Sequence, residues 1–432
     1  MSMDKTTGSS DRARVKRPER AQIEWQPVAL DQLLAGDHRA RIVWRYVESL
    51  DLSALYTKIR AVEGSVGRDA VDPKILMALW MFATIEGVSS ARHLSRLCER
   101  DLAYMWLRGG VGVNHHLLSD FRTSHGEFLD QLLADTIATL MHQGLVTLDI
   151  VAQDGMRVRA SAGSSSFRRE KTLEKCRDQA RQQVRQLREE SEHEAKQDAS
   201  NARREAARQR AASEREQRVD KALEALAKLQ AQKEKRQKES GQDARCSTTD
   251  PDARTMKMGD GGFRPAYNVQ FATDGGARVI LGVDVTNSGS DRGQMSSMHE
   301  NISRRYDKVP AQYVVDCGFA TKDDITELEK RGSQVIAPVH AAAKLRKNGK
   351  DPHARQPTDS DEMVAFRQRM ATNEAKQLYQ QRPSIAEFPN AECRNRGLQQ
   401  FRVRGLQKVR TVSLWHAIVF NFMRMIDLGC LR

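Results

Sequence analysis

Residues 148–160 (LDIVAQDGMRVRA) constrain the fold more than any other stretch, because they place a carboxylate inside a strand pattern. Apolar side chains at every second position up to Ala152 predict a β-strand. Asp154 interrupts that pattern, and an acid there is disfavoured unless it faces an open site or is neutralised by a cation. The ordinary alternative is a solvent-facing Asp154 ahead of a turn at Gly155. A second stretch, 312–316 (QYVVD), also runs from apolar residues into an acid, which favours the first interpretation.

The charge of the chain indicates the class of its partner. The 432 residues carry a formal net charge of +13, which suits a polyanion such as nucleic acid or an acidic membrane face. No apolar run is long enough to predict a membrane-spanning helix. The six cysteines include no CxxC pair, which argues against a zinc site or a disulfide framework and fits a reducing cytoplasm. Residues 1–30 are polar and basic, so we expect a disordered arm rather than a secretory signal.

A helical region is predicted over residues 31–145. A strongly apolar helix ends at Gly87, and a second helix begins near Ser90. Helix, glycine-containing turn and helix is the layout of a helix-turn-helix motif, but a plain pair of antiparallel helices in a bundle has the same layout. His115 and His116 lack a nearby ligand partner in the sequence, and we interpret them as ordinary surface residues.

Residues 168–240 differ sharply in composition from the rest of the chain. They consist mainly of Arg, Lys, Glu, Gln and Ala, which are strong helix formers. Apolar residues at 3-4-3 spacing predict a short coiled-coil seam: Val219, Ala222, Leu226 and Leu229. We therefore predict two long helices that form a hairpin inserted after the first core strand. Solvated charged helices without a direct role are one interpretation, and an arm for dimerisation or DNA-backbone contact is the other.

The remaining stretches alternate strands and helices. We predict a loop at 241–262, strands at 266–272 and 278–285 joined by a hairpin turn, and helices at 293–306 and 322–330. Three further helices are predicted at 363–379, 384–396 and 409–425. The order is that of a ribonuclease-H-like nuclease core. The predicted fold class is therefore α/β: a mixed sheet flanked by helices, with an all-α amino-terminal domain and an inserted coiled-coil hairpin.

Acids on neighbouring strands of such a core point to two-metal phosphoryl transfer. Two divalent ions about 3.5–4 Å apart stabilise the attacking and leaving oxygens. Hard cations need oxygen ligands, hence carboxylates rather than His or Cys, and rigid strands hold those carboxylates in place. We expect a third acid on a helix that packs beside the two strands.

The carboxyl-terminal region carries a family resemblance. Tyr379, Arg382, Glu387 and Arg394 resemble the Tyr, Arg, Glu, Lys signature around the last catalytic acid of insertion-sequence DDE transposases. Arg382 departs from that signature because it lies five residues before the acid rather than four.

Other blocks of the chain are similar to the same family. Asp154-Gly155 and Asp316-Cys317-Gly318-Phe319 resemble its first and second acidic blocks. The helical region from about 38 to 145, with Phe121-Arg122, is similar to the amino-terminal domain of such transposases.

Glu392 is the rival of Glu387 for the third acid. On a helix of 3.6 residues per turn, five residues correspond to a rotation of about 140°, so both acids cannot share one site. Pro383 predicts a helix start just before Ser384, which places Glu387 in the first turn, and Pro389 breaks or kinks that segment. Glu387 is the predicted third acid.

The resemblance implies a DNA transposase that binds the terminal inverted repeats of its element, cuts the ends and joins them to target DNA. Asp154, Asp316 and Glu387 would be the catalytic, metal-binding residues, holding two Mg²⁺ or Mn²⁺ ions. Double-stranded DNA would be the partner, bound by at least a homodimer, in the cytoplasm at the nucleoid and not at a membrane. The predicted DNA-binding residues are Arg382, Arg394, Arg396, Arg404 and Lys408, and a basic stripe for the DNA backbone adds Arg402 and Arg410.

Other functions fit parts of the same pattern. One is a ribonuclease-H-like nuclease without strand transfer, and another is an inactive, domesticated transposase that only binds DNA. A membrane-surface protein is a more distant alternative. The predicted domains are a basic arm (1–30), a helical DNA-binding domain (31–145), the first part of the catalytic core (146–167), the inserted helices (168–240) and the remainder of the core with the last helices (241–432).

Overall fold

The computed structural model describes residues 29–59, 61, 69–193, 199–236 and 240–431. The predicted basic arm lies outside the described residues, apart from residues 29 and 30. The amino-terminal part is all-helical, as predicted. After a 3₁₀ turn at Leu30–Leu33 it contains α1 (Arg39–Ser49), α2 (Ser53–Tyr56), α3 (Pro73–Ile85), α4 (Ala91–Arg100), α5 (Leu102–Arg108), α6 (His115–Ser124) and α7 (Gly126–His142).

Helix α3 lies at the centre of this helical part. The Asp72 side chain accepts a hydrogen bond from the Lys74 amide, and Pro73 occupies the first turn, where no amide donor is needed. Every residue of α3 except Lys74 is buried, so the helix is covered on all sides rather than on the one face that its apolar spacing indicated. Gly87 then adopts a left-handed conformation (φ 71°) in the turn to α4.

The core is a mixed β-sheet. Its strands are β1 (Ile150–Arg159), β4 (Arg254–Lys257), β5 (Phe263–Asp274), β6 (Ile280–Thr286), β7 (Gln312–Val314) and β8 (Gln334–Ile336), and β2 (Phe167–Arg168) and β3 (Cys246–Ser247) form a separate pair. Strand β5 pairs antiparallel with β1 on one side and with both β4 and β6 on the other, while β1, β7 and β8 run parallel. This is the ribonuclease-H-like arrangement that the order of elements predicted.

The inserted hairpin is present. It consists of α8 (Glu170–His193) and α9 (Ala199–Arg236), which run antiparallel, since Gln209 of α9 contacts Leu187 of α8 and the later Gln230 contacts the earlier Glu170. The predicted seam is buried at Val219, Ala222 and Leu226 and partly buried at Leu229. The small β2–β3 pair joins the two ends of the insertion, so the hairpin interrupts the core between β1 and β5 without breaking the sheet.

The remaining helices cover the sheet and join it to the amino-terminal part. They are α10 (Gln294–Tyr306), α11 (Lys322–Lys330), α12 (Ala342–Lys347), α13 (Asp361–Ala371), α14 (Asn373–Gln380), α15 (Phe388–Asn395) and α16 (Leu406–Asp427). Helix α16 packs against α3, α6, α7 and β6, so one buried helix connects both parts. No helix within the described ranges combines the length and apolar character that crossing a bilayer requires. All six cysteines are described, and each is a free thiol.

Two predicted elements were wrong in detail. The segment 241–262 is not only a loop, because Arg254–Lys257 forms the edge strand β4. The helix predicted at 363–379 is two helices, because the Thr372 hydroxyl accepts a hydrogen bond from the Ala375 amide and caps a new start.

Candidate active site

The parallel pairing of β1 and β7 places Asp154 and Asp316 side by side. The last paired residues are Ala152 of β1 and Val314 of β7, and each acid follows two residues later. Side chains two positions apart point to the same face, and paired strands lie about 4.8 Å apart. Asp154 remains inside β1, opposite Phe271 of β5, whereas Asp316 is the second residue after the end of β7. The two acids therefore occupy equivalent positions on neighbouring strands.

Gly155 does not form a turn, which rules out the interpretation of Asp154 as a solvent-facing acid ahead of a turn. It lies within β1 and pairs with Gln270. A Cβ atom at this position would lie 2.4 Å from the Gln270 side-chain nitrogen and 2.5 Å from an Asp291 oxygen. Asp291 accepts hydrogen bonds from Asn268, Gln270 and Arg157, so it is structural. The glycine provides the space for this buried polar network directly behind Asp154.

The loop after β7 orients the Asp316 carboxylate. Its Oδ1 accepts hydrogen bonds from the amides of Gly318 at 2.7 Å and Phe319 at 3.3 Å. A Cβ atom on Gly318 would lie 2.9 Å from that oxygen, so the glycine allows the close approach. The Phe319 side chain is fully buried and anchors the loop. The Cys-Gly-Phe sequence after Asp316 thus serves to hold the acid.

Arg382 joins the first and the proposed third acid. Its Nη2 donates to Asp154 Oδ1 at 2.9 Å, and its Nη1 donates to Glu387 Oε1 at 2.8 Å. The guanidinium is buried, with 10% of the side chain exposed, whereas 53% of the Glu387 side chain is exposed. One cationic group therefore lies between two carboxylates that are more than two hundred residues apart in the sequence.

A π-helical turn explains the five-residue spacing between Arg382 and Glu387. Residues Pro383–Glu387 form this turn, and the Phe388 amide donates to the Pro383 carbonyl five residues earlier. On an α-helix, five residues would turn the two side chains about 140° apart. The wider turn brings them to one face, and such turns are frequent at functional sites. The chain then continues into α15 with Pro389 in its first turn, so this proline does not break the helix.

Two family models match the chain. The Transposase DDE domain matches residues 241–422, and the Transposase domain (DUF772) matches residues 28–124. No curated protein and no solved structure matches it. The chain belongs to the DDE transposases of insertion sequences. Enzymes of this family are metal-dependent polynucleotidyl transferases and nucleases that act on DNA. The DDE match contains Asp316 and Glu387 but begins after the inserted hairpin, so Asp154 lies outside it.

Burial and neighbouring acids raise the pKa of Asp154 in the transposase. Burial raises the pKa of Asp154 to about 6; the Arg382 guanidinium opposes this shift, and the Asp316 and Glu387 carboxylates add to it. Asp316 and Glu387 are thus close enough to Asp154 to disfavour its charged form. Among the described residues, no three Asp, Glu, His or Cys side chains stand close enough together to enclose an ion.

Asn390 is a site residue that the sequence reasoning missed. Its side-chain amide donates to Asp154 Oδ2 at 2.9 Å, so both oxygens of Asp154 are occupied. The Asn390 side-chain oxygen is buried and has no partner among the described residues. A signal was available, because Asn390 lies three residues after Glu387 and so shares its helix face.

Arg382 is the predicted DNA-binding residue that lies in this cluster, whereas Glu392 and the other predicted DNA-binding residues lie outside it. Glu392 forms an ion pair with Arg396 at 3.1 Å, which also neutralises Arg396. Arg394 and Lys408 are exposed, and Arg404 is exposed with its Nε donating to the Ser161 carbonyl.

One residue of the predicted basic stripe, Arg410, is paired with an acid. Arg410 forms an ion pair with Asp130 of α7 at 2.9 Å, so it links α16 to the amino-terminal helices and is not a free cation.

The loop at Asp250 and Asp252 is structural rather than part of the active site. Asp250 accepts hydrogen bonds from the Tyr267 hydroxyl and the Gly405 amide, and Asp252 accepts from the Leu406 amide. These acids therefore hold the amino terminus of α16, where an acid is favoured.

Proposed function

We propose that this transposase binds the terminal inverted repeats of its element and performs cleavage and strand transfer with two divalent ions held by Asp154, Asp316 and Glu387. The observation that carries the proposal is the pairing of β1 with β7, which sets two acids at equivalent strand positions. Glu387 is linked to Asp154 through Arg382. Mg²⁺ is the expected ion and Mn²⁺ a substitute, because the donor set consists of carboxylate oxygens.

The raised pKa of Asp154 supports the fit of a cation to this site. A buried carboxylate beside two others is electrostatically unfavourable, and a bound cation relieves that repulsion. Arg382 already supplies one positive charge, yet the pKa of Asp154 stays at about 6. The acids therefore accommodate more positive charge than one guanidinium provides.

When bound, two such ions activate the attacking water or 3′-hydroxyl and stabilise the leaving oxygen. The chain's own residues prepare for that chemistry. Asn390 keeps the Asp154 carboxylate oriented, and the amides of Gly318 and Phe319 do the same for Asp316. Arg382 donates to carboxylate oxygens of Asp154 and Glu387, and its guanidinium would be free to bind a DNA phosphate if ions took those oxygens.

The exposed cations extend this site towards DNA. Arg394, Arg404 and Lys408 are exposed on α15, on the following loop and on α16, where they would contact the backbone. Because both ends of the element must be handled together, we expect at least a dimer on DNA. The inserted hairpin, which lies between β2 and β3 in the chain, is the candidate contact between subunits.

The test is cleavage of a plasmid that carries the element between its natural ends, with end binding measured in parallel. We expect Asp154→Asn, Asp316→Asn and Glu387→Gln each to abolish cleavage while binding of the ends persists. Glu392→Gln is the matched control, and it should cleave normally. Cleavage by Glu387→Gln together with its loss in Glu392→Gln would transfer the third role to Glu392. Unchanged cleavage by Asp154→Asn would reject the site.

A further inference from the structure

A basic pocket lies between the amino-terminal helices and the loop that precedes α16. Its volume is about 540 Å³, and it is lined by the starts of α4 and α6 and by Arg402 and Val403 of that loop. The described lining residues include four arginines and three histidines but no carboxylate. Arg92, Arg96 and Arg402 are exposed, and none of them forms an ion pair with a residue in the described part of the chain. The pocket therefore concentrates positive charge that no described acid neutralises.

Two helix amino termini converge on this pocket. Helix α4 begins at Ala91 after the Ser90 cap, and α6 begins at His115 after the Asn114 cap. Each cap accepts a hydrogen bond from one backbone amide, but the first amides of each helix have no partner within the helix. Both helix dipoles add positive potential at the same place, which favours an anion.

Arg122 supplies an independent observation, because it is a buried cation in the pocket wall. Its side chain lies over the Trp80 ring at 4.6 Å, and Nη1 donates to the Ser89 carbonyl at 2.6 Å. Only 6% of the residue is exposed, and its Nε has no hydrogen-bond partner among the described residues. Burial lowers the pKa of Arg122 to about 10. A buried charge is normally paired, and no described carboxylate pairs with this one, so the counter-ion is expected from outside the chain.

The loop that carries Arg402 connects the pocket to the catalytic core through a hydrogen bond. The Phe401 amide donates to the carbonyl of Arg159, the last residue of β1, at 2.8 Å. Asp154 lies five residues earlier on the same strand, about 17 Å away at strand rise. An anion in the pocket would thus lie beyond the end of β1 and not among the acids.

We propose that this pocket binds a backbone phosphate of the DNA. The duplex would then contact both the amino-terminal helices and the catalytic core. Arg92 and Arg96 are four residues apart and share one face of α4, while Arg402 approaches from the core side. The inference rests on the proposed DNA binding and adds a specific anchoring site to it. A phosphate that belongs to a DNA strand fits this site, because the exposed arginines can contact the neighbouring phosphates of the same strand.

The test measures the affinity of the full chain for a labelled DNA duplex of about three helical turns, between about 50 and 200 mM KCl. The variants are Arg96→Gln and Arg402→Gln, both at exposed positions. Arg100→Gln is the matched control, since Arg100 is exposed in the last turn of α4 outside the pocket. We expect each pocket variant to bind roughly tenfold more weakly, with the salt slope reduced by about 0.9, and the control to match the wild type.

Equal affinities and salt slopes for the pocket variants, the control and the wild type would overturn the phosphate site while leaving DNA binding intact. A wild-type chain that binds no duplex would instead overturn the proposed function. Inorganic phosphate at constant ionic strength tests the other source of the same anion. Thermal stabilisation of the wild type but not of Arg96→Gln, with unchanged duplex affinity in that variant, would assign the pocket to free phosphate and reject the DNA contact.

Discussion

Replacing Arg382 by glutamine removes the cation that lies between Asp154 and Glu387. The contact with Asp154 joins side chains that are only 10% and 17% exposed, where a charge-assisted hydrogen bond contributes roughly 1.5–3 kcal/mol. Glu387 is 53% exposed, so its contact adds less than about 1 kcal/mol. A divalent ion that takes these oxygens must therefore displace interactions of about 2–3 kcal/mol, equivalent to roughly 30- to 150-fold in affinity.

We therefore expect Arg382→Gln to bind Mn²⁺ about 30- to 150-fold more tightly than the wild type in calorimetric titrations of metal-free protein. The same variant should cleave DNA more slowly, because the guanidinium is then missing beside the phosphate. Arg396→Gln is the matched control, since it breaks a comparable ion pair with Glu392 outside the cluster. An Arg382→Gln protein with equal or weaker Mn²⁺ affinity would refute the idea that this side chain occupies the position of the ion.

Three further predictions concern the surroundings of the site. Gly155→Ala should lower the free energy of unfolding by about 2 kcal/mol or more, because its Cβ would lie 2.5 Å from the Asp291 carboxylate; an unchanged denaturant midpoint would contradict this. Burial lowers the pKa of His299 to about 4 from about 6.5 when unfolded, so its contribution to stability is complete above pH 6.5 and is lost as the pH falls towards 4. His299→Gln should therefore flatten the pH dependence of unfolding in that window by up to about 1.4 kcal/mol per pH unit, and parallel curves would contradict it. Lys408→Gln should reduce the salt slope of DNA binding by about 0.9, whereas Arg410→Gln should leave it unchanged; the reverse order would show that the ion pair of Arg410 opens on DNA.

The sequence was sufficient for features that depend on local periodicity. Alternation of apolar residues located the strands of Asp154 and Asp316, and the composition change located the inserted hairpin. The position of the two acid-bearing strands side by side was expected only from the ribonuclease-H-like order of elements, because the strands from β2 to β6 lie between β1 and β7 in the chain.

Features that depend on tertiary contacts were not accessible in the same way. The five-residue spacing of Arg382 and Glu387 departs from the family signature, and only the fold shows the π-helical turn across which the two side chains form an ion pair. From the sequence, Arg410 was predicted to be a free basic residue, because its partner, Asp130, is far away in the chain. The spacing of Asn390 from Glu387 suggests a shared helix face, but only the fold shows that its side chain reaches Asp154.

The most direct test of the three-acid site is anomalous diffraction from crystals of the transposase with an element end and Mn²⁺. We expect two manganese peaks about 3.5–4 Å apart, ligated by Asp154, Asp316 and Glu387, with the Arg382 guanidinium moved away from Asp154. Manganese bound elsewhere, with Arg382 still bridging Asp154 and Glu387 at saturating metal, would contradict the proposed two-metal centre.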